Sequence, residues 1–488
     1  MKLEEIIKRC AVTSVSGNTA VEIDAITNDS RKVAPGSLFV AVSGCGNDGR
    51  QYIKAAIEAG AAAVILEEGD PAEKEYLSAF HGTTVHVKDS RLAAAMAADA
   101  FYEHPSGKLN LVGITGTNGK TTTVTLLYNL FRSLGYECGL MSTIANYVGS
   151  VRLETANTTS DPITINALLD RMCKAGCEYC FMEVSSIGVD QKRVEGLEFK
   201  VGIFSNLTHD HLDYHGTFAE YLRCKQAFFD QLSKDAYAIT NTDDRNGRIM
   251  VQNTKAHIVT YGCKTAADHK CRIIEEGFDG MLLNIDGKEV WTRLVGAHNA
   301  YNLLALYTTA VTLGAGAEET MIALSGLESA KGRLETIRGP KDLTVVIDYA
   351  HTPDALENVL KTLRDIGPER QLICLFGCGG DRDRTKRPEM GAVAEKYADR
   401  IILTSDNSRT ESTSEIIEEI KGGLTPTGLA KTLSISDRKE AIRTAIMLAD
   451  KGAVLLLAGK GHETYQIIGK DKRHFDEREI VEEVFKTL

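Results

Sequence analysis

The chain has 488 residues, 43% hydrophobic and 25% charged, with a net charge of −11. The length predicts two to four globular domains, and the acidic balance argues against non-specific nucleic-acid binding, which needs basic surface. No apolar run reaches the roughly 18 residues of a membrane span, the N-terminal MKLEEIIKRCAV has acidic residues where a secretion signal wants a basic region and a continuous apolar run, and the odd number of cysteines, eleven, gives no disulfide framework.

A reduced, cytoplasmic protein is therefore expected, with no membrane span and no nucleic-acid partner. Strands at 21–27 and 37–42 open the chain, and a helix over 49–60 leads into the strand AAAVILEE. A helix over 91–102 ends at His104-Pro105-Ser106-Gly107, a linker signal. From Leu109 the buried runs LNLVGIT, YCFMEVSS, VGIFSNL and AYAITNTDD are separated by helices, the pattern of a parallel α/β sheet. A second boundary falls near 333–340, and TVVIDYA, QLICLFG, RIILTSDN and AVLLLAGKG repeat the pattern. The fold class is α/β, in three domains: 1–107, 108–335 and 336–488.

The strongest local signal is Gly113-Ile-Thr-Gly116-Thr117-Asn118-Gly119-Lys120-Thr121-Thr122, after a strand and at the start of a helix. Glycines let backbone N–H groups approach phosphate oxygens, and the helix N-terminus adds a favourable dipole. Lys120 is placed to reach the β- and γ-phosphates of a nucleotide, with Thr121 or Thr122 offering a hydroxyl to Mg²⁺. Gly113 and Gly116 replace the usual single leading glycine, so the loop is a variant. Glu183 closes the strand FMEVSS, and the block from Asn206 to His215 carries Thr208, Asp210, His211 and Asp213. Strand ends in open α/β sheets are where ligands bind, which makes these residues candidates for holding Mg²⁺.

These motifs, in this order and spacing, resemble the Mur ligases of bacterial cell-wall synthesis. TGTNGKTT, EVSS, NLTHDHLDYHG, Lys225 in YLRCKQAFF, Asn299 and Asn302 in GAHNAYN, Arg333 in KGRLE and Asp348–His351 in DYAHTPDAL carry the resemblance over nearly the whole chain. Within the family the pattern is similar to the members that add the third residue of the peptide. Three positions depart from it: Ile187 stands where histidine is frequent, His298 where phenylalanine is, and Ser408 turns DNPR into DNSR.

The resemblance implies a three-domain architecture with a central P-loop ATPase-like parallel sheet and a Rossmann-like C-terminal domain. It implies an ATP-dependent amide-bond ligase that activates a carboxylate as an acyl phosphate and couples it to an amino acid, acting as a monomer. ATP would be held by Gly116, Thr117, Asn118, Gly119, Lys120, Thr121, Thr122, Asn299, Asn302 and Arg333. Mg²⁺ would be held by Thr121, Glu183, His211 and a carbamylated Lys225; Lys120, Lys225, His211 and Glu183 are the implied catalytic residues. A cationic lysine beside Mg²⁺ would repel it, whereas a carbamate is an anionic ligand. The UDP-muramoyl dipeptide would meet Asn28, Ser30, Cys45, Gly46, Asn47, Asn157, Thr158, Thr159, Ser185, Gln191 and Arg193. The diamino acid would meet Arg382, Asp406, Asn407, Ser408, Arg409, Gly459 and Glu463.

Arg409 and Arg382 favour meso-diaminopimelate over L-lysine, because the extra carboxylate suits a planar, always-charged fork. The same reaction with lysine, and a non-enzymatic nucleotide switch, are the alternatives. Cys173-x₃-Cys177-x₂-Cys180 has the spacing of an iron–sulfur site, against which Cys180 sits in an apolar strand.

Overall fold

The computed structural model describes the chain except residues 45–47, 70–76, 78–79, 156 and 209–211, and the side chains of 212 and 213. The chain forms two compact units: residues 1–270 with 302–323, and residues 271–301 with 324–488.

The first unit opens with β1 (Val12–Ser16), β2 (Ala25–Thr27), β3 (Ser37–Val40), β4 (Ala63–Glu67) and β5 (Thr83–Val87). They pair in the order β1-β5-β4-β3-β2, parallel except for β1. Helix Ser90–Phe101 packs on this sheet through Ala93, Ala94, Ala97 and Ala98, and small side chains there permit close approach. Asp89 caps it, accepting from the N–H groups of Arg91 and Leu92 at 3.0 Å.

The second sheet contains β6 (Asn110–Thr115), β7 (Cys138–Met141), β8 (Asn146–Val148), β9 (Val151–Leu153), β10 (Tyr179–Glu183), β11 (Phe199–Phe204), β12 (Tyr237–Asn241) and β13 (His257–Gly262). Its order is β13-β12-β11-β6-β10-β7-β8-β9, with parallel pairing from β13 to β7. After β6 the chain passes to β7 on one side and later to β11 on the other, so a crevice opens at the carboxyl end of β6, the position where such sheets bind ligands. The buried runs of β6, β10 and β11, broken only by half-buried Asn110 and exposed Lys200, follow from helices covering both faces.

Three antiparallel strands follow, β14 (His269–Gly277), β15 (Gly280–Ile285) and β16 (Lys288–Thr292). The second unit's main sheet runs β17 (Glu335–Arg338), β18 (Thr344–Asp348), β19 (Leu372–Phe376), β20 (Arg400–Leu403), β21 (Thr432–Ser434) and β22 (Val454–Ala458), in the order β17-β18-β22-β19-β20-β21. Only β17 is antiparallel. The hairpin β23 (Tyr465–Ile468) and β24 (Asp471–His474) follows β22.

The cysteine spacing is structural. Cys180 is fully buried in β10, where burial pushes its thiol well above the ordinary value. Cys173 donates to the Pro105 carbonyl at 3.4 Å, and the three thiols do not converge within the reach of one metal ion. No described helix is long and apolar enough to cross a membrane.

Candidate active site

β6 ends at Thr115, and helix Lys120–Ser133 begins after the loop 116–119. Gly116 has φ +151°, and a Cβ there would lie 2.0 Å from Ser205 Oγ, so only glycine fits. The loop is tied to the exit of β11: Thr117 N–H donates to the Asn206 carbonyl at 2.8 Å, Asn118 N–H to Asn206 Oδ1 at 2.9 Å, and Ser205 Oγ to the Asn118 carbonyl at 2.8 Å. Gly119 is the N-cap, so no capping side chain covers the first N–H groups of the helix, which leaves an anion-binding end. Lys120 Nζ rests on the carbonyls of Gly116 and Thr117, both at 2.9 Å. Thr121 is buried and Thr122 half-buried. Asn302 Oδ1 accepts from Thr123 Oγ1 at 3.3 Å, beside Gly119.

Glu183 is 1% exposed at the end of β10. One carboxylate oxygen accepts from the Thr143 N–H at 2.7 Å, and its carbonyl accepts from Thr159 Oγ1 at 2.9 Å. Thr158 accepts from Thr143 Oγ1 at 3.1 Å. Lys225, on helix Phe218–Asp230, is 1% exposed, and its Nζ donates to the Gly116 carbonyl at 2.9 Å. The oxygens of Thr121 and Glu183 suit Mg²⁺; an unmodified Lys225 amine does not, and a carbamate on it does. His211 lies outside the described residues, as do Cys45, Gly46 and Asn47. Asp190, Glu220 and Cys224 also converge, but Asp190 accepts from the Tyr214 hydroxyl and Glu220 pairs with Arg223, so these carboxylates already have partners.

A cleft of about 350 Å³ in the same unit brings Asn28, Gln191 and Arg193 together with Ser43, Tyr52, Arg91 and Asp161. Ser30 lies on the turn Ser30–Lys32, and Asn157 is exposed nearby in sequence to Thr158 and Thr159. Ser185 Oγ caps helix Ser186–Asp190 by accepting from Gly188 N–H at 3.0 Å. Arg193 donates to the Thr159 carbonyl at 2.5 Å and to Gln191 Oε1 at 2.7 Å, and burial lowers its pKa.

In the second unit, the residues expected to meet the diamino acid follow the carboxyl ends of β19, β20 and β22. Gly459 has φ +110°, and a Cβ there would lie 2.8 Å from Asp406 Oδ2. Asn407 Nδ2 donates to Glu463 Oε2 at 2.9 Å. Arg409 adopts φ +50°, uncommon for a residue with a side chain. It is held there by its N–H to the Ile467 carbonyl (3.2 Å), by Gly469 N–H to its own carbonyl (2.8 Å), and by its guanidinium on the Gly380 carbonyl (2.7 Å). The loop needs no proline at 408: the Asn407 carbonyl accepts from Gly380 N–H at 2.9 Å and the Ser408 carbonyl from Glu411 N–H at 3.0 Å. Arg382 is exposed, and both it and Arg409 border Gly379. Asn299 Nδ2 donates to the Val295 carbonyl at 2.7 Å, and Arg333 stacks 5.1 Å from the Tyr349 ring centroid.

Sequence reasoning passed over Thr143, Arg91 and Lys460. Thr143 contributes through its main chain, which leaves no residue-type signal. Arg91 reads as an ordinary helix residue. Lys460 stands in the run AVLLLAGKG between the candidates Gly459 and Glu463, where it reads as an ordinary surface lysine.

A glycine-lined phosphate loop at a sheet's switch point, with a buried carboxylate on the adjacent strand end, defines a nucleotide-phosphate-binding enzyme of the P-loop kind. Residues 22–102 match the family described as "Mur ligase family, catalytic domain", 114–310 "Mur ligase middle domain" and 332–461 "Mur ligase, glutamate ligase domain". UDP-N-acetylmuramoyl-L-alanyl-D-glutamate--2,6-diaminopimelate ligase of Cytophaga hutchinsonii is 49% identical over 488 residues, covering 100% of both chains. The protein so named in Phocaeicola vulgatus is 50% identical over 486 residues, 99% of each. A solved structure under the same name matches with a TM-score of 0.71 at 31% identity, covering 100% of this chain and 99% of that one. The chain belongs to the Mur ligase family, the ATP-dependent amide-bond-forming ligases.

Proposed function

We propose that the protein joins meso-diaminopimelate to UDP-N-acetylmuramoyl-L-alanyl-D-glutamate at the expense of ATP, in peptidoglycan precursor synthesis. The substrate carboxylate attacks the γ-phosphorus and ADP leaves. The amine of the diamino acid then attacks the acyl phosphate carbon, loses a proton and expels phosphate. Phosphorylation is needed because a free carboxylate resists an amine.

Residues 1–107 and the cleft at Asn28, Gln191 and Arg193 are read as the precursor-binding part, 108–335 as the ATP-binding part and 336–488 as the amino-acid-binding part. Lys120 leaves its two carbonyls to meet the γ-phosphate, and the open helix end receives the β-phosphate. Thr121, Glu183, His211 and carbamylated Lys225 are read as the residues that hold Mg²⁺, which when bound supplies positive charge against the gathered anions. Asn299, Asn302 and Arg333 are assigned to the nucleotide. The same reading makes the enzyme a cytoplasmic monomer.

The observation that carries the choice of amino acid is Arg409, fixed in a left-handed conformation with Arg382 across Gly379. Two guanidiniums suit the second carboxylate that distinguishes diaminopimelate from lysine. Competition between the two amino acids, with each product identified by mass, tests this; equal use of lysine would remove the specificity and leave the ligase.

A further inference from the structure

Lys460 is 0% exposed, two residues beyond the end of β22. Its Nζ donates to Glu463 Oε2 at 3.0 Å and to Asn407 Oδ1 at 3.3 Å, and it lies 5.7 Å from the Tyr465 ring centroid and 5.9 Å from that of Phe475. Asn407 Nδ2 donates to the same Glu463 Oε2 at 2.9 Å, while Ile467 N–H donates to Asn407 Oδ1 at 2.9 Å. Oε2 thus takes two donors, and Oε1 makes no hydrogen bond among the described residues. Glu463 itself remains 14% exposed. A partly exposed carboxylate with one oxygen held by two donors and the other without a donor is a preorganised acceptor for a cation.

We propose that Lys460 is a positioning residue for the amino-acid substrate: it locks Glu463 so that Oε1 receives the distal ammonium of the diamino acid. The inference rests on the reading of Glu463 as an amino-acid-binding carboxylate. Glu463 has a side chain with three rotatable bonds. Without Lys460 the carboxylate keeps only Asn407 on Oε2, and the ordering it loses must be supplied when substrate binds. Lys460 acts through Glu463 and makes no contact with reacting atoms.

The test compares meso-diaminopimelate with 2-aminopimelate, which keeps both carboxylates and lacks the distal amine. The variants are Lys460→Met, Lys460→Gln (which retains a neutral donor) and Glu463→Gln, each checked for folding by thermal melting. Both Lys460 variants are expected to lower the kcat/KM ratio of the two substrates by about tenfold or more, as loss of a buried partner does. The loss should fall on KM for diaminopimelate, with KM for ATP unchanged. Adding Lys460→Gln to Glu463→Gln should cost little more than Glu463→Gln alone, since one interaction cannot be lost twice. An unchanged ratio in either folded Lys460 variant, or additive losses in the double variant, would overturn the proposal. If the wild-type enzyme does not prefer diaminopimelate at all, the functional reading fails instead.

Discussion

Lys120 and Lys225 direct their ammonium groups at the same oxygen, the main-chain carbonyl of Gly116, each at 2.9 Å. The proposed function makes this shared carbonyl a resting arrangement that a bound nucleotide would displace. On the proposed reading, a γ-phosphate would offer Lys120 a full negative charge, and a carbamate would turn Lys225 from a cation into an anion.

Replacing Lys120 by alanine is therefore expected to reduce phosphate release by at least about 10²–10³-fold, the size of losing one preorganised charge at a reacting centre. Circular dichroism should show an unchanged fold, because the side chain is only half-buried at the loop. Near-normal turnover in a folded Lys120→Ala protein would remove the phosphate-loop assignment.

Lys225→Ala is expected to lose activity, and a small carboxylic acid such as acetate should restore part of it by supplying the missing anionic oxygen. The control is Lys120→Ala, which the same acid should not rescue. Full activity of Lys225→Ala without additive would show that the buried amine only braces the Gly116 carbonyl.

Arg409→Ala addresses specificity. Leaving the second carboxylate of diaminopimelate without its fork costs on the order of 2–5 kcal/mol, roughly 30- to several-thousand-fold in preference over lysine. Competition assays on wild type and variant measure this directly. An unchanged preference would mean that the guanidinium serves only the Gly380 carbonyl.

Arg387, 0% exposed, donates to Glu411 and Glu419 beneath the Arg382 loop. Its hydrogen bonds hold the Glu411 carboxyl at about 2, against an ordinary 4.5. A depressed folded-state value means the stabilisation is complete above the unfolded value and is lost as pH falls from about 4.5 toward 2. Glu411→Gln should therefore lower Tm at pH 7 by about 1 °C, the equivalent of about 1 kcal/mol in a chain of this length, for a pair whose carboxylate is 17% exposed. The gap between variant and wild type should close near pH 2, and a gap independent of pH would contradict the assignment.

The parallel strands were legible because each is a short apolar run bounded by turn residues, and in β6, β10, β18, β19 and β22 both faces are buried. The strands β13 to β16 were not, since β14 exposes Lys270, Arg272, Glu275 and Glu276 and carries a register shift between Ile273 and Glu275. Of the candidate site, the turn from β6 into the helix at Lys120 could be read, because its glycines and the helix start fall on adjacent residues. The support beneath Glu463 could not: a lysine on a motif gives no sign that it is buried until β22 and the hairpin β23–β24 are in place. The positive φ of Arg409 likewise depends on partners at 467 and 469, far along the chain.

The central claim is the reaction itself. Incubating the protein with ATP, UDP-N-acetylmuramoyl-L-alanyl-D-glutamate and a panel of diamino acids, and weighing the product, tests it in one step. The expected product is heavier by one diaminopimelate residue, formed with one phosphate released per molecule and only when the amino acid is present. Phosphate release with no joined product, or a product carrying lysine in preference to diaminopimelate, would contradict it.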